Sequence, residues 1–423
     1  MKSGEAAGLW NCDCLGCCHF LRKLLPWRSC DYEFNADEWR CSDCESEDES
    51  GVGLYSRSYQ TPVALSTAFQ NFRIHAGTWN VGGRIPPSSL DLSSWVCSQT
   101  PADIYVFGFQ EIVPLNVANV FGVEDDTPAV VWETLIRHTL NRGSRRASWT
   151  QEEETASTLG YVGEKQPLIA PLMSPDFSED SKFPGQYVRI ASKQMVGLFI
   201  SVWIRREIRH VVSNVKVSSV GCGIFGYLGN KGSISVSLSI HRTSFCFICS
   251  HLTSGDREED DKRRNTDVRE ILRRTSFPRS LRVSQTLPET ILEHERIIWL
   301  GDLNYRVALS SDETMRLIGN QDYSSLLAKD QLKAQQGKGR VFEGWKEGHI
   351  KFAPTYKYIP DSDAYTMNGA SANGRTRVPA WCDRILWLGK GLDQIAYLRS
   401  EYRISDHRPV SAVFTTQVEC ADK

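Results

Sequence analysis

Five apolar runs in this chain break off on polar residues that a buried core does not normally hold, and this pattern constrains the fold more than any other feature. FRIHAGTW stops at Asn80, and IYVFGF at Gln110 and Glu111. SFCFICS stops at His251, and RIIWLG at Asp302, with Asn304 two residues on. Asp406 and His407 stand just ahead of RPVSAVF. Each run has the length and the β-branched and aromatic content of a buried strand. A single polar strand end is ordinarily a turn-former. Taken together, two histidines, several carboxylates and two asparagines at strand edges form an inventory for a hard cation, a general acid/base pair and donors to an oxyanion.

Further strands are read at MVGLFISVWI (195–204), GSISVSLSI (232–240) and CDRILWLG (382–389). A short HRT turn after residue 240 suits a hairpin. WETLIRHTL (132–140), DETMRLI (312–318) and YSSLLAKDQLKAQ (323–335) read as helices. SGDREEDDKRRNTDVREILRR (254–274) predicts a helix with Ser254 as N-cap, its acids preceding its bases as the helix dipole favours. There is no internal repeat and no heptad. The expected fold class is α+β or layered α/β, with a two-sheet β-sandwich core flanked by helices. Its ordered part is expected over 69–420, interrupted at about 141–185 by a flexible insertion rich in Ser, Gly, Pro and Glu.

Residues 1–68 read as a Cys-rich, largely disordered appendage that includes the acidic run ESEDESG. Cys12, Cys14, Cys17, Cys18, Cys30, Cys41 and Cys44, out of thirteen cysteines in all, lie there. Zinc ligation, S-acylation of Cys17 or Cys18 beside an apolar and basic stretch, and a tail with incidental thiols are three open readings of them. The first residues lack the apolar core of a secretory signal, and Lys2 stands where N-myristoylation needs glycine. Reduced thiols and a cytoplasmic location are therefore expected. No apolar run approaches the roughly 20 residues that cross a bilayer. The 49 basic and 51 acidic residues nearly cancel, which argues against a global hold on nucleic acid. Arg145-Arg146-Ala147-Ser148 and Arg273-Arg274-Thr275-Ser276 have the pattern of basophilic kinase sites. GCGIFGYLGNKGS (221–233) is not a nucleotide P-loop, because Asn230-Lys231-Gly232 breaks the required Gly-Lys-Ser/Thr.

The blocks TWNVGG, QEIVPLN, GNKGS, SHLTSG, WLGDLNYR, PAWCDRILW and SDHRPV, spread over about 72–418, resemble the inositol polyphosphate 5-phosphatase family. That family lies within the endonuclease/exonuclease/phosphatase superfamily of DNase I-like folds, and the layout is similar to plant type I members. The resemblance implies a Mg²⁺ held by Glu111 with Asn80. It implies Asp302 as acceptor of the proton of the attacking water, and Asn304 orienting water or phosphate. His251 would donate to the phosphoryl oxygens, His407 would sit across that group, held oriented and cationic by Asp383, and Asp406 would support metal or water. Superfamily mechanisms differ on whether the aspartate or the histidine is the base. Tyr356, Lys357, Arg375 and Arg377 match positions that grip a neighbouring 4-phosphate, and Asn230 and Lys231 lie in a loop by the site mouth. In that loop Phe225, Tyr227 and Leu228 either dip into lipid or pack in the core. The implied activity is removal of the 5-phosphate from phosphatidylinositol 4,5-bisphosphate, inositol 1,4,5-trisphosphate or both, dampening phosphoinositide signalling. A monomer in peripheral contact with the plasma membrane or endomembranes is expected. A superfamily nuclease and a catalytically dead phosphoinositide-binding adaptor are the alternatives.

Overall fold

The structure, a computed structural model, describes residues 68–96, 100–142, 185–278, 287–366 and 377–420. The appendage 1–68, but for its last residue, and nearly all of the 141–185 insertion lie outside the described residues. Among the described residues there are twelve strands: β1 (Phe69–Asn80), β2 (Ile104–Gln110), β3 (Tyr187–Met195), β4 (Leu198–Arg205), β5 (Val212–Gly221), β6 (Gly232–Ile240), β7 (Thr243–His251), β8 (Arg296–Asp302), β9 (Lys346–Glu347), β10 (Asp383–Gly389), β11 (Leu392–Arg399) and β12 (Val410–Glu419). They form two six-stranded sheets, in the orders β11-β12-β1-β2-β4-β3 and β5-β6-β7-β8-β10-β9.

Period-two alternation distributes the side chains between three apolar layers. Ile74, Ala76, Val106, Cys249, Ile298 and Leu300 point between the sheets. From the same strands Trp79, Tyr105, Phe107 and Phe109 point outward, against Trp95 and the helix Thr127–Leu140. On the second sheet Ile297 and Trp299 face the helix Asp260–Arg274 through Val268 and Ile271. Burial on both faces explains why the central strands read as near-continuous apolar runs.

Register then aligns their ends. β1 and β2 are parallel, with Asn80 level with Gln110. β7 and β8 are also parallel, with His251 level with Asp302, and antiparallel β10 sets Asp383 opposite Asp302.

Four strands were not read from the sequence: β3, β5, β9 and β11. β3, β5 and β11 are edge strands in part exposed to solvent, and each carries a bulge that breaks its alternation. Two helix readings also need correction. The helix expected from Ser254 begins at Asp260, because Asp260 Oδ2 accepts from Arg257 N at 2.9 Å and Arg264 donates to the carbonyls of Thr253 and Gly255, which tie the preceding loop down. YSSLLAKDQLKAQ forms two short helices, Tyr323–Leu327 and Gln331–Gly337. Asp330 separates them: it caps the second through Lys333 N and pairs with a buried arginine.

That arginine, Arg384, follows Asp383 in β10 and is wholly buried. Its guanidinium donates to both oxygens of Asp330 and both of Glu347. Removing one partner of a buried ion pair leaves uncompensated charge in a low-dielectric interior. Arg384→Ala is expected to cost about 3–5 kcal/mol, read as a lowered urea midpoint with unchanged slope. A loss below 1 kcal/mol would show that Lys333, 2.8 Å from Glu347, already neutralises the group.

Candidate active site

Asp302, at the end of β8, is the hub. Its Oδ2 lies 3.0 Å from Asn80 Nδ2, 3.2 Å from His251 Nε2 and 3.9 Å from His407 Nε2. Its Oδ1 accepts the backbone N–H of Asn304 at 3.1 Å. Glu111, just past β2, meets the same group: its Oε1 is 3.2 Å from Asn80 Nδ2 and 3.7 Å from His251 Nε2. Lys231 Nζ lies against His251 Nε2. His407 Nδ1 is 2.9 Å from Asp383 Oδ2, which also accepts from Thr355 Oγ1 at 2.6 Å. The Asp406-His407 segment is fixed to β1 because Ser405 Oγ donates to Asn80 O at 2.7 Å and Trp79 Nε1 to His407 O at 3.3 Å.

The electrostatics follow from burial and neighbours. Burial works against ionisation of Asp302, but His251, His407 and Lys231 outweigh it and hold the carboxyl far below the usual range. Burial also works against the His407 cation, yet Asp383 and Asp302 push its pKa up to about 9. Burial and then Lys231 lower His251, and burial draws Lys231 itself down to about 8. Burial raises Asp383. At neutral pH Asp302 is therefore a firm anion beside the His407 imidazolium, the Lys231 ammonium and the neutral His251 imidazole.

Could a hard cation fit here? The Glu111 side chain keeps about 30% of its surface exposed, so an ion on it could retain the waters that Mg²⁺ gives up reluctantly. Carboxylate oxygen also suits such an ion, and the fit is good. The Asn80 oxygen accepts Gly82 N–H at 3.0 Å and its nitrogen faces Glu111 and Asp302, so the amide holds the carboxylates in place. Asp302, Asp383 and His407 also converge closely enough to suggest a metal. With His407 cationic and already turned to Asp383, those three read better as a carboxylate–imidazolium chain.

Other expected site residues fall in several places. Asn304 holds a left-handed φ of 57°, and its side chain donates one N–H to Leu252 O and accepts from Arg306, which leaves its second amide N–H for water or phosphate. It acts on Asp302 through its backbone. Gly301, just before Asp302, is set by strand packing: with φ 150°, a Cβ there would sit 2.0 Å from Ser250 O of the neighbouring strand. Tyr356 stacks on His407, ring centroids 4.5 Å apart, and Lys357 Nζ lies 5.5 Å above the Tyr356 ring. Lys357 pairs with Asp406 at 3.2 Å, and Arg377 pairs with Asp256 at 2.8 Å. Asp406 thus faces Lys357 while its charge also favours the His407 cation. Asn230 staples its own loop by accepting Ile224 N–H at 3.2 Å, and does not reach the cluster as Lys231 does. Arg375 lies outside the described residues.

The profile described as Endonuclease/Exonuclease/phosphatase family 2 matches residues 77–413. The type I inositol polyphosphate 5-phosphatase 8 of Arabidopsis thaliana is 46% identical, covering 94% of this chain and 85% of its own length. The type IV inositol polyphosphate 5-phosphatase 9 of the same plant is also 46% identical, covering 94% of this chain and 89% of its own. The chain belongs to the inositol polyphosphate 5-phosphatase family. Among solved structures it is similar to the inositol polyphosphate 5-phosphatase domain of SPsynaptojanin, crystallised with inositol (1,4)-bisphosphate and a calcium ion. That match has a TM-score of 0.64 at 28% identity, covering 84% of this chain and 87% of that one. Cimex nitrophorin, at 20% identity and TM-score 0.54, covering 82% of this chain and 99% of its own, shares the fold alone.

As a 5-phosphatase the chain is a phosphomonoester hydrolase, and two further residues bear on its site. Arg306, buried, donates to Asn304 Oδ1 at 2.6 Å and places its guanidinium 4.6 Å over the Tyr356 ring, opposite the demands of a solvated base. An arginine four residues past an apolar strand end was its only signal. Thr355 gave none, since its bond to Asp383 spans 28 residues.

The His407–Asp383 pair yields a pH prediction. His407, raised to about 9, stays protonated through neutrality and loses its proton only as pH climbs through that value. Asp383→Asn removes the strongest group favouring the cation. The alkaline limb of kcat/KM is then expected to move down towards the ordinary histidine value, with activity at pH 8 reduced up to roughly thirtyfold. A limb that stays in place would show that His407 does not titrate in that limb.

Proposed function

We propose that this 5-phosphatase removes the 5-phosphate from phosphatidylinositol 4,5-bisphosphate and from inositol 1,4,5-trisphosphate, using Mg²⁺. The observation that carries this reading is the stack His407–Tyr356–Lys357. It sets a lysine one aromatic ring away from the imidazolium of the cluster, where a phosphate adjoining the scissile one would fall. The relative crystallised with inositol (1,4)-bisphosphate holds what such a trisphosphate becomes on losing its 5-phosphate, which supports the same substrate.

Hydrolysis of a phosphate monoester is slow because a dianion repels its nucleophile, and catalysis consists mainly of positioning and charge neutralisation along an in-line path. Mg²⁺ held by Glu111, itself positioned by Asn80, would neutralise phosphoryl oxygens. His407, cationic and oriented by Asp383, donates to the phosphoryl group from one side, and His251 with Lys231 faces it from the other. Asp302 orients the attacking water. Its strongly depressed pKa makes it a poor early base, so it accepts the proton late, when a loose transition state has made the water acidic. Phosphate release should occur from both liposomal phosphatidylinositol 4,5-bisphosphate and soluble inositol trisphosphate, stop with EDTA, and be absent in Asp302→Ala. Well-folded protein that cleaves neither substrate would sink the assignment.

A lipid substrate brings a bilayer to the site. Between β5 and β6 the loop 222–231 exposes Ile224, Phe225 (74%) and Tyr227 (64%), and its last residue is Lys231, at His251. Phe225 holds a left-handed φ of 59°, an arrangement that costs a bulky side chain about 1–2 kcal/mol. We read these side chains as lipid contacts of a cytoplasmic enzyme acting at plasma membrane or endomembranes. Phe225→Asp is expected to lower kcat/KM on liposomes by roughly tenfold and leave soluble trisphosphate unaffected. Equal loss on both would assign the loop to catalysis or folding.

A further inference from the structure

Among the described residues, the two cations that would grip the phosphate beside the scissile one, Lys357 and Arg377, are held by carboxylates in the ligand-free chain. Lys357 pairs with Asp406 and Arg377 with Asp256. Asp406 belongs to the segment that carries His407, but Asp256 comes from elsewhere, the loop between β7 and the helix Asp260–Arg274. This loop is anchored on both sides of Asp256. Gly255, at φ 127°, packs where a Cβ would strike Asp260, and its carbonyl accepts from Arg264 at 3.1 Å. Arg257 N–H is held by Asp260 at 2.9 Å. Asp256 is therefore presented to Arg377 by a fixed backbone. The pair lines a cavity of about 590 Å³ together with Arg306, Ser310 and Glu313, and Arg306 reaches the catalytic rim through Asn304. Arg377 also lies close enough to Lys357 for the two charges to oppose one another.

We propose that Asp256 is a specificity-determining residue that occupies Arg377 in place of a substrate phosphate, so that the neighbouring phosphate must displace a built-in carboxylate to be bound. This rests on the reading of Arg377 as a substrate contact. The pairing geometry is that of an arginine engaged by a carboxylate at hydrogen-bond distance, with both side chains about one-third exposed. An exposed pair of this kind has a modest strength, so a phosphate dianion can outcompete it at a moderate cost in affinity. A substrate without a phosphate beside the scissile one has no use for Arg377 and gains nothing from its release.

The test uses the full chain with two soluble substrates, inositol 1,4,5-trisphosphate and an inositol phosphate that carries the 5-phosphate without the 4-phosphate. Asp256→Asn, close to isosteric, is expected to lower KM for the trisphosphate roughly two- to fivefold with kcat little changed, and to leave KM for the second substrate where it was. Arg377→Ala is expected to raise KM for the trisphosphate, and in that background Asp256→Asn should have no further effect. A raised or unchanged trisphosphate KM in Asp256→Asn, with Arg377→Ala still impaired, overturns the proposal alone and makes Asp256 a support for Arg377. A normal Arg377→Ala removes the substrate role of Arg377, and the proposal with it. An equal fall in KM for both substrates assigns the effect to net charge and also overturns it.

Discussion

Gly108 in β2 sits where any side chain would run into the second sheet, its Cβ meeting Leu300 Cδ1 at 2.5 Å and Cys249 Sγ at 2.8 Å. The closeness of the sheets at this point is what the catalytic rim depends on. Asn80 and Glu111 belong to one sheet, and His251, Asp302 and Asp383 to the other, yet Asp302 and Asn80 must be within hydrogen-bond reach. A sheet separation even slightly larger would leave Asp302 with its histidines and Glu111 with its asparagine, and no shared centre. Gln110 strengthens the seam, bonding to Thr78 beside it and to Cys249 across it. Dense apolar packing between the sheets therefore acts at a distance as positional control of polar groups.

What that packing brings together would be unstable without its own internal compensation. Asp302 and Asp383 are opposite one another in neighbouring strands, both fully buried. Two carboxylates so placed cannot both be anions without cations near them. His407 resolves this by lying between them, its Nδ1 on Asp383 and its Nε2 towards Asp302, while Lys231 and His251 attend Asp302 from the β6–β7 side. The same arrangement that keeps the fold tolerable gives the chemistry an imidazolium and a carboxylate at neutral pH. Stability and reactivity are therefore answered by one set of contacts here.

The sequence made some of this readable. β1, β2, β7 and β8 stood out because strands buried on both faces cannot hide their apolar content, and their polar ends were visible as interruptions of it. Edge strands such as β5, VSNVKVSSVG, were not, because a half-exposed strand with a bulge has neither continuity nor alternation to detect. Side-chain identity at the rim was legible, but the way each side chain is used was not. Asn304 reads as a reaching amide and is in fact bound at both ends; Asn230 reads as a loop polar group at the mouth and is a staple; Asn80 turns its nitrogen to Glu111 and Asp302. In each case the decision lies with a backbone group or carboxylate that only folding brings near. Asp256 is the sharpest instance: an ordinary acid in an acidic helix lead-in, it acquires meaning only from the arginine that the chain returns to it much later.

The division of labour between strand ends and loops follows from stiffness. Asp302 and His251 close strands, and Asp383 opens one, whose other residues are locked in a packed sheet, so they cannot relax when substrate charge arrives, which is what electrostatic preorganisation requires. Lys357, Arg377 and Phe225 sit on connecting segments that vary without disturbing the core. The same sandwich in Cimex nitrophorin, which matches the fold at only 20% identity, shows that the architecture by itself prescribes no reaction. On the proposed mechanism, what makes this chain a phosphatase is not the two sheets but the level at which Asn80, Glu111, His251, Asp302 and Asp383 emerge from them. What would distinguish it from a fellow phosphatase lies one layer further out, where a carboxylate on a loop can be gained or lost at little cost to the core.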